Sequence, residues 1–403
     1  MWLKVLKRML LACGILAIMP VSTLYCQGVQ PREYTGLDKY IGQGRPSSSS
    51  MVGTRAAEFL SIPVGARAIA LGSAFSAVAD DISAIWWNPA GLGFLESTEF
   101  MFTHVDYTMD FTYSYVAGAT PIGDGRIILG GFFGYMNYPE MEITTVSSPN
   151  GTGSYFSAYD TQLGGTVAMN FSDRFMAGLN VKYVHQDVFN NLAASAFAID
   201  AGGIYHAELL DREIRFAFTV QNLGTNMTMT GPNLYFDVGP ETSGGDVPDG
   251  YGDYSTDPTA ISRRHTRKAQ YLTHTYRLPT SVKVALSYNL LTSEKVNWLA
   301  AGEIWRNSGI PMSYSIGSEV SYGFTPFTSA ALRGGWKIQT DEFTDSQDAF
   351  GYEYLGDDPT WRGLSLGGGV KRNWGSRFIE FSYAYRNKGR LSADNFFTVS
   401  FGF

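Results

Sequence analysis

Cysteine is nearly missing: the 403-residue chain holds two, Cys13 and Cys26, both at its N-terminal end. No structural disulfide is therefore expected after residue 26, and the compartment cannot be read from bridges. Charge is also sparse, at 17% of residues against the usual quarter or so. What charge there is carries no basic excess. The formal net charge is −7, and past the first 26 residues 27 basic side chains face 37 acidic ones. A chain this acidic, without a basic stripe, is a poor nucleic-acid binder. Long hydrophobic runs are absent beyond residue 26; none approaches the roughly 18 uncharged apolar residues of a spanning helix, which argues against a helical membrane protein. Apolar and aromatic surface is nevertheless plentiful, with 44% hydrophobic residues, 24 Tyr, 26 Phe, 8 Trp and 45 Gly. That much greasy surface excludes a disordered chain and suits an all-β protein whose strands alternate in polarity.

The N-terminus reads as a secretory signal peptide over residues 1–26. Lys4, Lys7 and Arg8 form a positive region, Met9 to Met19 an apolar core, and Pro20 to Thr23 a break before Cys26-Gln27. Residues 27–56 are polar, with Gly42, Gly44, Pro46 and Ser47 to Ser50, and read as a flexible linker. From Gly65 to Leu92 the texture changes: 14 of 28 residues are Gly, Ala or Ser. Such a stretch can pack inside a confined space. It closes on Trp86-Trp87-Asn88-Pro89-Ala90-Gly91, a turn, since Pro89 biases Asn88 away from helical backbone.

Two-residue alternation then runs from residue 97 to the end. Phe397, Val399, Phe401 and Phe403 share one face, with Thr398, Ser400 and Gly402 on the other. Val282, Val284, Leu286 and Tyr288 alternate with Ser281, Lys283, Ala285 and Ser287 in the same way. One face is apolar and the other polar or charged. A soluble sandwich would bury the apolar face against a second sheet; a membrane barrel points it at lipid. Fourteen strands are expected, at 97–106, 111–120, 125–136, 157–170, 174–187, 193–207, 213–222, 279–290, 295–304, 312–322, 327–337, 361–374, 376–386 and 394–403. Connections after even-numbered strands are all short, whereas every long one (137–156, 223–278 and 338–360) follows an odd-numbered strand. Outer-membrane barrels have this asymmetry, with tight periplasmic turns and long outer loops.

The string GARAIALGSAFSAVADDISAIWWNPAGL (Gly65–Leu92) resembles the N-terminal hatch of FadL-like outer-membrane proteins, particularly the PorV/PorQ family. FAFTVQNLG (Phe216–Gly224), LPTSVKVALSY (Leu278–Tyr288) and the segment from Gly363 to Gly389 add to the resemblance, which covers most of residues 57–403. It implies an all-β, 14-stranded antiparallel transmembrane barrel (residues 97–403) in a bacterial outer membrane. The lumen would hold a small hatch or plug (57–96) whose motif is Asn88, Pro89, Ala90 and Gly91. Two roles are implied: a component of type IX protein export, or passage of small hydrophobic molecules. Secreted cargo or secretion-machinery proteins, outer-membrane lipid and a hydrophobic small molecule are the corresponding partners.

Candidate chemistry is thin. Acidic residues crowd two outer loops (Asp237, Glu241, Asp246, Asp249, Asp253 and Asp257; then Asp341 to Asp358), but their spacing matches no EF-hand, so solvated loop surface is the default. Arg263, Arg264, Arg267 and Lys268 follow the first tract and are candidate partner contacts, able to meet that tract or an anionic surface. Trp86 and Trp87 either line a ligand path or gate, or anchor the plug to the wall. Asp80 and Asp81 are candidate caps for a short helix through Trp87. Lys182, Arg215, Lys283, Glu319 and Glu380 fall on the lumenal face, where they can hold a plug. A hairpin centred near Asn190 sets His185 opposite Ser195 on the outward face, as an outer-leaflet acyl hydrolase would require, but without an evident third residue. No metal spacing, cofactor motif or catalytic residue is assigned. The expectation is a non-enzymatic barrel, with export through outer-loop contacts as the leading reading and passive hydrophobic transport as the alternative.

Overall fold

The computed structural model describes residues 54–107, 110–189, 192–238, 267–308, 312–339, 362–389 and 393–403. Signal peptide and most of the linker lie outside these residues, as do Arg263, Arg264 and all but the first member of the acidic tracts. Fourteen antiparallel strands close into one barrel. They are β1 Glu99–Asp106, β2 Thr112–Ile122, β3 Ile127–Asn137, β4 Tyr159–Ser172, β5 Phe175–Phe189, β6 Leu192–Leu209, β7 Arg212–Gly224, β8 Ser281–Thr292, β9 Val296–Asn307, β10 Ser313–Thr325, β11 Thr328–Gln339, β12 Leu364–Trp374, β13 Arg377–Asn387 and β14 Ala393–Gly402. Each expected strand is present, with ends shifted by three residues at most. Every strand pairs with its sequence neighbours, and β14 returns to β1 with Phe401 opposite Phe100 and Phe397 opposite His104. Closure leaves no unpaired sheet edge, which is the condition for a sheet to stand in hydrocarbon.

Polarity is inverted relative to a soluble protein. Outward side chains are large and apolar, and they are exposed: Phe197 by 61% and Leu332 by 77%. Their inward neighbours are polar and buried, including Thr103, Asn180, Lys283, Ser365 and Asp394. Alternation along a strand produces both faces at once. Short connections gather at one mouth, here the turn mouth, and long ones at the other, the loop mouth. Three small ribbons extend the loop mouth: Met141–Glu142 with Tyr155–Phe156, Met227–Thr228 with Thr275–Tyr276, and Tyr235–Val238 with Arg267–Gln270. The last sets Lys268 opposite Asp237 and Arg267 opposite Val238.

Residues 55–95 run down the lumen from the loop mouth to the turn mouth. At the top, Arg55 bridges in parallel to Arg277, and Ala56 N donates to Arg277 O (3.0 Å). A 3-10 turn (Glu58–Ser61), helix α1 (Ala66–Ala70), helix α2 (Ala84–Trp87) and a second 3-10 turn (Pro89–Phe94) follow. Small residues matter because the wall comes so close. A Cβ on Gly178 would run into Pro89 C and Ala90 N; one on Gly367 would meet Ala70 Cβ and Tyr383 O. Gly367 thus thins its strand where the plug packs against it.

Candidate functional site

Toward the loop mouth the lumen mixes apolar side chains with buried polar ones, Asp160 and the Arg386–Asp394 pair among them, and its charged half lies toward the turn mouth. Several inward wall positions near the loop mouth are apolar. Val105, Tyr113, Tyr115, Phe132, Met136, Val184 and Phe396 all point inward and are buried. Phe59 and Leu60 of the plug belong to the same buried cluster, and Phe59 meets the Tyr113 ring edge-on at 6.4 Å. Tyr115 in turn stacks on Phe132 at 5.7 Å.

Trp86 and Trp87 sit deeper and are buried. Trp87 Nε1 donates to Val64 O (2.7 Å), so the second tryptophan ties two stretches of the plug together. The Lys283 ammonium lies 4.5 Å from the Trp86 ring, 4.4 Å from Trp87 and 4.6 Å from Trp305 of the wall. It is fully buried, and among the described residues no acceptor lies within hydrogen-bond distance of it. Cation–π attraction, strongest where water is excluded, is what this ammonium gains from its surroundings. The tryptophan pair therefore clasps a wall lysine. Neither ring lines the polar cavity described below.

The hatch motif forms a wedge between the plug and strands β5 and β6. Asn88 is fully buried. Its Oδ1 accepts from Ala90 N (3.2 Å), capping the turn that Pro89 starts, while its Nδ2 donates to Ser76 O (3.0 Å) and to Gly203 O of the wall (3.4 Å). Beside it the wall supplies partners for plug carbonyls. Asn180 Nδ2 reaches Ile85 O (2.8 Å), Gln221 Nε2 reaches Trp86 O, and Asn170 Nδ2 reaches Gly93 O (2.9 Å). Next to these, Lys182 pairs with Asp200 (2.9 Å), whose Oδ1 also accepts from Asn222 N (2.7 Å). Asn222 has φ of 59° and sits at a bulge in β7, so the buried charge pair holds a strained residue in place.

The charged half is organised by Arg67. Its guanidinium contacts Asp80 (2.6 Å) and Asp81 (2.8 Å) of the plug and Glu319 of the wall (2.9 and 3.0 Å). From Glu319 the chain of charges continues to Arg333 (2.5 Å) and on to Glu380 (3.3 Å). Asp80 holds a second cation, Arg215, at 3.2 Å. Burial pushes the Asp80 carboxyl up, but Arg67 and Arg215 outweigh it and leave the group below its ordinary value. Burial works against the Arg67 charge too, and is likewise outweighed by Asp80, Glu319 and Asp81, so the guanidinium stays protonated. Neither aspartate caps α2 with its side chain: Asp80 is committed to arginines, and Asp81 Oδ1 accepts from Ser83 N (2.8 Å) and Ser83 Oγ (2.5 Å). Around this cluster lies a polar cavity of about 340 Å³, bordered also by Glu99, Lys371 and Ser382. Among the described residues no group of three or more His, Cys, Asp or Glu side chains is placed to hold a metal ion.

His185 and Ser195 are cross-strand partners, and His185 Nδ1 lies 2.9 Å from Ser195 Oγ. Tyr183 OH also donates to that oxygen (2.7 Å). Among the described residues no carboxylate lies within ion-pair distance of His185.

The uncharacterised protein family UPF0164 matches residues 42–193. No curated protein sequence matches the chain. Among solved structures, the toluene transporter TbuX of Ralstonia pickettii is similar at 13% identity and a TM-score of 0.46, covering 84% of this chain and 97% of that one. The toluene transporter TodX of Pseudomonas putida is similar at 10% identity and a TM-score of 0.49, with the same coverage. CymD, a monoaromatic hydrocarbon channel, is similar at 9% identity and a TM-score of 0.47, covering 84% and 96%. At such scores the architecture rests on the chain's own strand register: a closed, plugged, 14-stranded antiparallel barrel with its apolar face outward.

Proposed function

We propose that the chain is a FadL-like barrel of a bacterial outer membrane that passes small hydrophobic molecules through its lumen by yielding of the plug. The lumen lining carries this reading. A channel for polar solutes keeps its interior wet and polar, whereas here seven buried apolar side chains of the wall belong to one hydrophobic cluster with Phe59 and Leu60 of the plug. Such a lining favours an apolar solute over water by roughly 25 cal/mol for each Å² it covers. The charged cluster below keeps the plug seated, and no covalent step is assigned to the lumen.

The test is uptake of radiolabelled toluene by cells that make the protein in their outer membrane, set against cells lacking it. Expected are faster uptake with the native chain and a return to background when Tyr115 is changed to Arg. Uptake no faster than in cells without the barrel would refute the reading.

A second reading, a PorV/PorQ-like role in type IX export, is favoured by the loop-mouth ribbons. These and the chain joining or flanking them carry exposed apolar residues suited to a protein partner, among them Val146, Tyr155, Tyr271 and Leu272. Trimming residues 141–156 should then abolish secretion of signal-bearing cargo while leaving toluene uptake intact.

A further inference from the structure

The outward face of the wall carries another histidine–serine pair, and this one has a carboxylate. His104 on β1 is the cross-strand partner of Ser114 on β2, and its Nδ1 lies 3.0 Å from Ser114 Oγ. On the other side of the ring, His104 Nε2 lies 3.2 Å from Asp106 Oδ1. We propose that Asp106, His104 and Ser114 are a serine-hydrolase triad that cleaves carboxylic esters of outer-leaflet lipids, an activity separate from passage through the lumen.

The geometry fixes the roles. A carboxylate oxygen beside Nε2 favours the tautomer with its proton there, which leaves the Nδ1 lone pair facing the Ser114 hydroxyl. That is the arrangement in which the imidazole accepts the serine proton and the carboxylate stabilises the imidazolium that forms. Position supplies the substrate class. Towards the middle of the wall the same outward face holds Phe102, Val116 and Phe401, all exposed and apolar. Towards the loop mouth it ends in Asp106, the last residue of β1, whose own partner is Thr112. The triad thus stands where the apolar belt gives way to polar side chains, the depth at which an acyl ester joins hydrocarbon tail to headgroup.

In the reaction, Ser114 Oγ bonds to the ester carbonyl carbon while its proton passes to His104 Nδ1. Collapse of the tetrahedral adduct breaks the carbon–oxygen ester bond, and the imidazolium returns its proton to the departing alkoxide as the free alcohol. Water then gives a proton to His104, attacks the acyl-Ser114 ester and releases the carboxylic acid, restoring the serine.

The His185–Ser195 pair is a built-in comparison, with the same ring-to-hydroxyl contact but no carboxylate. Purified full-length protein in detergent micelles is treated with a fluorophosphonate probe and mapped by mass spectrometry, and its hydrolysis of dioctanoylphosphatidylcholine is followed. One phosphonate on Ser114 is expected in the native chain, none in Ser114→Ala, and native labelling in Ser195→Ala. Asp106→Asn should slow hydrolysis by about 10⁴-fold, the loss seen when a triad histidine is left in the wrong tautomer. Heat-dependent gel mobility checks that each variant is folded, and mapping on the native chain needs no variant. A native chain that neither labels nor hydrolyses overturns the proposal. So does labelling that persists in folded Ser114→Ala, or an Asp106→Asn variant as fast as native.

Discussion

Replacing Arg67 with Met tests how the plug is held. The substitution keeps an apolar stem and removes the guanidinium. Three carboxylates lose a partner: Asp80, Asp81 and Glu319. Two of them keep another arginine, since Arg215 stays on Asp80 and Arg333 stays on Glu319. Removing one member of a buried ion pair costs about 3–5 kcal/mol, because the abandoned charge stays out of water. With two of three partners backed up, the lower end applies, about 3 kcal/mol. At 1.4 kcal/mol per tenfold, the ratio of seated to loosened plug should fall by about a hundredfold. Ion conductance of single barrels in a planar bilayer reads that ratio, because a loosened plug opens a wet path through the charged half. Arg67→Met should show frequent open events where the native protein shows few. Glu319→Gln should add little on top of Arg67→Met, since the two side chains form one cluster. Conductance traces indistinguishable from native would refute the claim that this cluster seats the plug.

Further expectations follow from the same contacts. Acidification should loosen the plug late: a carboxyl whose folded value is depressed gives its full stabilisation above its ordinary value of 3.8 and loses it as pH falls through the lower folded value. Conductance at pH 5 should therefore match that at pH 7, and open events should appear only below about pH 4. Asn88→Ala should destabilise the seated plug by about 2 kcal/mol, leaving Ser76 O and Ala90 N without their partner, as read by urea-dependent tryptophan fluorescence. Gly178→Val should cost about 1–3 kcal/mol from overpacking against Pro89, seen as a lower melting temperature; a native melting curve would mean the plug does not seat there.

Much of the barrel was legible because strand alternation and turn length are local signals. The face assignments of Val282 to Tyr288 and Phe397 to Phe403 follow from a period of two, and connection parity sorted the mouths without any structure. The lumen was harder. Its charged residues could be named, since Lys182, Arg215, Lys283, Glu319 and Glu380 all fall on inward positions. Their partners could not, because Arg67 and Glu319 stand 252 residues apart in sequence and meet only when the barrel closes on the plug. Asp80 and Asp81 look like helix caps by their place before Trp86, yet tertiary charge claims Asp80. Inward Tyr113, Tyr115 and Phe132 defeat a polarity rule, since a lumen filled by plug side chains wants apolar walls. His104 and Ser114 were within reach: the hairpin arithmetic that pairs His185 with Ser195 about residue 190 pairs them about residue 109.

The plug is moored at both ends of the cylinder. Its first described residues are hydrogen-bonded to Arg277 beside one opening, and its last run covalently into β1 at the other. A stopper tied fore and aft resists expulsion as a body, so loosening has to begin between the two moorings. The stretch free to shift is then the one between them, which holds both tryptophans and the Arg67 contacts.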